Sequence, residues 1–323
     1  VDPPIANRAT VGGTLAVGFS GPLKWQYGNV RDVVIGMKVV QGDGLVTKSG
    51  GQVVKNVSGY DMSRLHIGGL GTLGVIAEAS FKLTPLPAGE VTLAAFFDSV
   101  DQCVEAGISI FHSAVIPLAI SAMDRTVASK LQDLGDTGKC VLAIRLGGRP
   151  LALERQISEC RSLCRNHRAS EEEVVSRDEG ASVIWRAIAD FPLGRQIRPL
   201  LTARAFVEPS IAGDLVRKLI NDRTDELTQS IVAHPAQGVV LMAWDENDGK
   251  MTPDDTAIQI LNRARDELHR FNGRLIIERC PAQMKEGLDI WDDVGEHVAI
   301  MRRLKEQYDP KRILNPGRYV SGI

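Results

Sequence analysis

Between residues 75 and 84 apolar and polar positions alternate, with Val75, Ala77, Ala79, Phe81 and Leu83 set against Glu78, Ser80, Lys82 and Thr84. A period of two is a strand signal. The same reading gives short strands at 33–36, 39–40 and 45–47, with Gly42-Asp43-Gly44 as a hairpin turn between the last two. Residues 60–67 predict a helix with Asp61 near its start and Gly68-Gly69 as its stop. Pro85-Leu86-Pro87 reads as a linker, because proline continues neither a sheet nor a helix.

From about residue 90 the pattern changes. Strands at 91–97, 118–123, 140–146, 200–207, 239–244 and 274–279 interleave with amphipathic helices at 100–111, 151–167, 179–191, 211–227 and 254–271. Most of these strands carry some polar residues, which predicts an α+β layer with one sheet face covered. Residues 296–308 predict a last helix, followed by Asp309-Pro310 and the turn Asn315-Pro316-Gly317.

Composition narrows the picture only a little. The chain has 323 residues, 44% apolar and 24% charged, as in ordinary globular proteins. Its net charge of -2 offers no attraction to nucleic acid or to a bulk anionic membrane. No apolar run reaches the roughly 18 residues of a membrane span. Of five cysteines, Cys160 and Cys164 sit four apart in a predicted helix. They would bind a metal or oxidise if they faced one way; otherwise they are half-buried thiols in a reducing cytosol. No second Cys/His pair has zinc spacing. Val1-Asp2-Pro3-Pro4 leads straight into a glycine-dense block, and an upstream part of that domain is expected to be missing.

The block runs from Thr10 to Pro87. It holds Thr10-Val11-Gly12-Gly13, Gly18-Phe19-Ser20-Gly21, Gly28-Asn29, Lys55-Asn56-Val57-Ser58-Gly59-Tyr60-Asp61 and Gly68-Gly69-Leu70-Gly71-Thr72-Leu73-Gly74-Val75-Ile76. Such density suits a backbone that approaches a ligand closely, with N–H groups free for a phosphate. Gly69 to Gly74 matches the dinucleotide fingerprint G-x-G-x-x-G, but a strand follows where a helix is required, so the Rossmann reading fails. Gly42 to Ser49 resembles a phosphate-binding P-loop, but Thr47 stands where the glycine before Lys48 should be.

These stretches, with Lys55 to Leu65 and the closing Asp309-Pro310 to Asn315-Pro316-Gly317-Arg318, resemble the FAD-linked oxidases of the vanillyl-alcohol oxidase/PCMH superfamily. More narrowly they are similar to the FAD-binding E subunit of bacterial glycolate oxidase. The similarity covers roughly the first 87 and last 15 residues. It implies an α+β protein with a PCMH-type FAD-binding domain, its N-terminal part missing, and an α+β cap with a mainly antiparallel sheet. The expected division is 1–88 for the FAD domain, 89–290 for the cap, and 291–323 returning to the FAD domain.

The resemblance implies FAD as cofactor. Thr10, Gly12 and Gly13 with Ser20 and Gly21 would hold the pyrophosphate, and Gly28 lies in the same matched region. Gly74, Val75 and Ile76 would contact the flavin nucleotide, and Asn315 the isoalloxazine edge. Lys55 would neutralise phosphate or solvate a loop. Tyr60 would pack on the flavin or in the core, beside Gly59 and Asp61. Catalytic candidates are weaker. Arg204 would grip a substrate carboxylate or a neighbouring acid. His234 stands where related subunits have a richer histidine segment, and a lone histidine is more often structural. The implied role is hydride transfer from a 2-hydroxy acid to flavin. The implied setting is a cytoplasmic complex with a second flavin subunit and an iron–sulfur subunit, at most peripheral to the membrane. A non-catalytic scaffold and a stand-alone alcohol or hydroxy-acid oxidase remain as alternatives.

Overall fold

The computed structural model describes residues 2–53, 59–131, 138–175, 179–194, 199–221, 226–247, 252–286 and 288–323. The chain divides into two compact units, Val1–Leu86 with Asp293–Ile323, and Pro87–Asp292.

The first unit opens with three short helices, α1 (Val11–Val17), α2 (Lys24–Tyr27) and α3 (Val30–Val33). Strand β1 (Val34–Val40) then turns into β2 (Val46–Gly50). The turn closes as the sequence predicts: Gly44 adopts φ +88°, and Gln41 N–H donates to Leu45 C=O at 2.9 Å. The two strands read at 33–36 and 39–40 are one continuous strand. The predicted helix at 60–67 shrinks to α4 (Ser63–His66). Strand β3 (Val75–Phe81) completes an antiparallel sheet of order β2-β1-β3. Alternation places Met37 and Val39 on one face, where they pack with Leu15, Val30 and Val34 into a small core.

The second unit is an eight-stranded sheet with helices. In chain order it contains β4 (Gly89–Phe97), α5 (Val100–Phe111), β5 (Ala119–Met123), α6 (Arg125–Ala128), β6 (Cys140–Gly148) and α7 (Pro150–Asn166). Then follow β7 (Glu171–Val175), α8 (Glu179–Asp190), β8 (Leu201–Phe206), α9 (Ala212–Asn221) and β9 (Leu227–His234). The unit closes with β10 (Val239–Glu246), α10 (Asp254–Arg270) and β11 (Arg274–Arg279). The strand order is β11-β8-β10-β9-β5-β6-β4-β7, antiparallel at every described pairing. One face buries Leu93, Ile120, Leu142, Ile231 and Met242 against Val104, Cys160, Leu215 and Leu261 from the helices.

Two sequence expectations change here. The helix read over 211–227 is described over Ala212–Asn221, and Leu227 already begins β9. The sheet is also covered on more than one face. Ala94, Ser121, Ala143, Ser230 and Ala243, which alternate away from the main core, are buried too. Trp185 of α8 reaches that second face, where its Nε1 donates to Thr92 Oγ1 at 2.8 Å.

Cys160 and Cys164 are fully buried in the main core rather than half-buried. Burial, aided by Glu159 near Cys160 and by Cys160 and Glu172 near Cys164, pushes each thiol up to about 12. Because the thiolate is the reactive form, both should react with a thiol reagent at pH 8 at least ~100-fold more slowly in the folded protein than in urea. Equal labelling rates by mass spectrometry would contradict the burial.

The chain re-enters the first unit through α11 (His297–Tyr308), and Val320 and Ile323 near its end are buried.

Candidate functional site

The glycine segments of the first unit meet around α1. Thr10 is its N-cap, and its Oγ1 accepts from Gly13 N–H at 3.1 Å. Gly12 and Gly13 therefore form the first turn of a short helix, not the open loop expected. Within the described residues the N–H groups of Val11 and Gly12 have no acceptor, as the first turn of any helix requires. A Cβ on Gly12 would stand 3.5 Å from Ile76 C=O, which brings this turn beside β3. Val75, next along, is 57% exposed although it lies in a strand.

The 68–74 loop is hung on the far end of α1. Gly68 N–H donates to Leu15 C=O at 3.0 Å and Leu70 N–H to Ala16 C=O at 2.8 Å. The glycine at 74 has a packing reason, since a Cβ there would lie 2.4 Å from Val39 Cγ1. The tail then joins this loop. Asn315, at φ +42°, donates from Nδ2 to Leu70 C=O at 2.6 Å. One of the two Asn315 amide N–H donors is thus already engaged within the fold. Its Oδ1 remains for a ligand. Below it, Lys305 Nζ donates to Thr72 C=O and Leu314 C=O. A cavity of about 410 Å³ between α11 and the tail is lined by Arg302, Arg312, Pro316 and Gly317.

Other predicted residues serve the fold. Ser20 Oγ donates to Asn29 Oδ1 and accepts from Val30 N–H, so it braces the start of α3. Gly21 leaves room for Asp2, whose main-chain oxygen would be 2.6 Å from a Cβ. Gly28 at φ +79° ends α2. Asp61 pairs with Arg64 at 3.0 Å on the surface. Tyr60 is 92% exposed, so it is not a core residue, and Gly59 at φ +82° opens onto empty space. Lys55 lies outside the described residues.

The two catalytic candidates sit in the second unit on one face of its sheet, separated by β10. Arg204 is register-paired with Leu241, and His234 with Val239. Arg204 forms an ion pair with Glu278 of β11, both side chains largely buried. Burial lowers the Arg204 pKa and raises that of Glu278, while their mutual attraction opposes both shifts. His234 Nδ1 is 2.9 Å from Ser121 Oγ, both groups buried. These contacts direct each candidate into the sheet, to neighbouring side chains.

Lys305 was missed from sequence. A lysine four residues before an aspartate at a proline-stopped helix end was the available signal, but nothing in the pattern says that it is buried.

Two family models match the chain. One, the FAD binding domain, covers residues 1–50; the other, the FAD linked oxidases C-terminal domain, covers residues 86–206 and 292–319. The chain belongs to the FAD-linked oxidases. FAD is the cofactor of this family. The glycolate oxidase subunit GlcD of Bacillus subtilis (strain 168) is 28% identical over 98% of this chain and 69% of that protein. The mitochondrial D-lactate dehydrogenase [cytochrome] 1 of Saccharomyces cerevisiae is 22% identical over 96% of this chain and 55% of that protein. The glycolate oxidase subunit GlcE of Escherichia coli (strain K12) is 44% identical, but over 91 residues, 28% of this chain and 26% of that protein. The chain thus spans between about half and about two thirds of the length of the relatives that match it end to end. The solved structure of an alkyldihydroxyacetonephosphate synthase superposes with a TM-score of 0.65 at 18% identity, over 97% of this chain and 59% of that one. It shares the vanillyl-alcohol oxidase/PCMH-type fold. Among the described residues of this FAD-linked oxidase, no helix is long and apolar enough to cross a membrane.

The residues present fit the family's cofactor. Among the described residues nothing lies within 4 Å of where a Cβ on Gly59 or Gly68, both at positive φ, would be. The free N–H groups of Val11 and Gly12 suit phosphate oxygens, and the exposed Val75 suits an apolar ring.

Proposed function

We propose that this chain is the flavin-binding part of a 2-hydroxy acid oxidoreductase, working as one subunit of a glycolate oxidase-like complex. The observation that carries the reading is the joining of the 68–74 loop, hung on the far end of α1, to the Asn315 turn. Held there, FAD would supply the chemistry of a hydride acceptor for a CH–OH carbon and of an electron donor to a partner. The first turn of α1 offers N–H groups to phosphate. The 70–76 backbone and Asn315 Oδ1 offer polar contacts to the ring system, and Val75 offers apolar surface. Relatives named as glycolate, D-lactate and D-2-hydroxyglutarate enzymes support a 2-hydroxy acid as substrate class. The local GlcE similarity and the subunit names support a multi-subunit assembly, and the partners that belong to this proposal are a second flavin subunit and an iron–sulfur subunit.

One observation favours the scaffold alternative, in which the chain docks and braces but does not oxidise substrate. Arg204 is paired with Glu278 and His234 is hydrogen-bonded to Ser121 inside the sheet.

The test is spectroscopic. The purified full chain, titrated with FAD, should show resolved flavin bands and quenched flavin fluorescence. No spectral change at saturating FAD would sink the flavin reading. With FAD bound, reconstitution with the partner subunits should yield glycolate-dependent bleaching of the flavin on this chain. Turnover of the complex without such bleaching would favour the scaffold.

A further inference from the structure

We propose that Lys305 is the positioning residue of the flavin cradle, its ammonium locking the 68–74 loop and the 313–317 loop in one register. The proposal rests on the flavin reading above and names the group that presets its geometry.

Lys305 is 5% exposed, and its ammonium meets three oxygens. Nζ donates to Thr72 C=O at 2.8 Å, to Leu314 C=O at 2.7 Å and to Asp309 Oδ2 at 2.7 Å. An ammonium has three N–H donors, so its capacity is filled. Two of the acceptors are main-chain carbonyls, one from each loop, and a point cation between them fixes their separation.

Asp309 completes the lock. It has no exposed surface. Its Oδ1 accepts from Ile313 N–H at 3.1 Å and its Oδ2 from Leu314 N–H at 2.9 Å. Burial pushes this carboxyl up, but hydrogen bonds from Lys305, Leu314 and Ile313, with the ammonium's charge, outweigh it and hold it below the usual carboxylate range. Asp309 is therefore ionised at neutral pH. Burying an ammonium is unfavourable unless charge and hydrogen bonds compensate it, and here they are complete.

The backbone shows what the lock holds. Leu70, Arg312 and Asn315 adopt φ of +51°, +51° and +42°. Side-chain-bearing residues rarely enter this region, and such conformations persist only where surrounding contacts over-determine them. Each of the three lies within three residues of a carbonyl that Lys305 binds. Asn315 sits one residue beyond Leu314, and Leu70 two before Thr72.

Lys305→Met and Lys305→Arg in the full chain test this. The guanidinium keeps the charge but spreads its donors over a planar fork, so it cannot serve three oxygens from one nitrogen. Three readouts are compared with the unaltered chain: FAD affinity, the shape of the bound flavin's visible bands, and amide hydrogen exchange at Ile313 and Leu314 without FAD. Lys305→Met should bind FAD at least tenfold more weakly with altered bands, and both amides should exchange at least tenfold faster. The melting of the Pro87–Asp292 unit should not change. Lys305→Arg should stay folded yet show the same direction in all three readouts. Unchanged affinity and bands in a folded variant would overturn the proposal, and if Lys305→Met does not fold, Lys305→Arg alone decides. If the unaltered chain takes up no FAD, the flavin reading fails separately. Amide exchange then still decides whether Lys305 locks the loops, and unchanged protection would overturn it.

Discussion

Gly238→Ala is expected to destabilise the Pro87–Asp292 unit by about 3 kcal/mol, from the left-handed penalty and from overpacking. Gly238 joins β9 to β10 after a single 3-10 turn over Pro235–Gln237. It adopts φ +62°, and a Cβ there would lie 1.9 Å from Val207 C=O. The first effect costs an L-residue roughly 1–2 kcal/mol. The second forces Val207 to move, and overpacking of this kind costs roughly 1–3 kcal/mol. Movement is constrained because Val207 N–H donates to Gly238 C=O at 2.9 Å, tying the two backbones together. Urea unfolding followed by the fluorescence of the buried Trp185 and Trp244 is the measurement. A midpoint equal to that of the unaltered chain would show that the turn tolerates a side chain. The glycine at position 238 is thus explained by hairpin geometry.

The second large effect lies in β8, the strand paired with β10. Arg204→Met should cost about 3–5 kcal/mol, because removing one member of a buried pair strands the other. Adding Glu278→Leu should restore most of the loss, since apolar residues of similar volume pack there without an unpaired charge. The pH dependence has a definite sign. Burial raises the Glu278 pKa and Arg204 opposes the rise. Without Arg204 the folded-state pKa climbs further above its unfolded value. An acid raised in this way is least costly below its unfolded pKa, and stability falls as pH rises toward the folded value. The deficit of Arg204→Met should therefore shrink toward pH ~4 and grow toward neutrality. A double variant as unstable as the single one would mean that Arg204 stabilises through packing of its own stem. If Arg204 instead gripped a substrate carboxylate, the single substitution would chiefly weaken substrate binding.

Local structure was legible wherever short-range chemistry decides it. The Gly42–Gly44 hairpin follows from turn residues between apolar runs, and β3 from strict alternation. β9 was missed because Thr228, Gln229 and Ser230 interrupt its apolar run directly after a helical pattern. Ser230 is nevertheless buried. β7 was missed because three successive glutamates read as solvated chain, whereas they form a sheet edge. Charges on an edge strand discourage pairing with another chain, a demand that no local pattern encodes.

The sequence by itself determined that glycines cluster where backbone must come close, that the Gly69–Gly74 fingerprint precedes a strand and not a Rossmann helix, and that the tail turns at Asn315-Pro316-Gly317. These follow from steric limits on single residues and their neighbours. Only the tertiary structure decided what each polar group touches. Ser20 braces α3, Arg204 answers Glu278, Asn315 donates one amide N–H to Leu70, and Lys305 binds two carbonyls that lie far apart along the chain. Hydrogen bonds and ion pairs are set by distances of about 3 Å in space. A one-dimensional pattern reports which groups are available and carries no information about which of them meet.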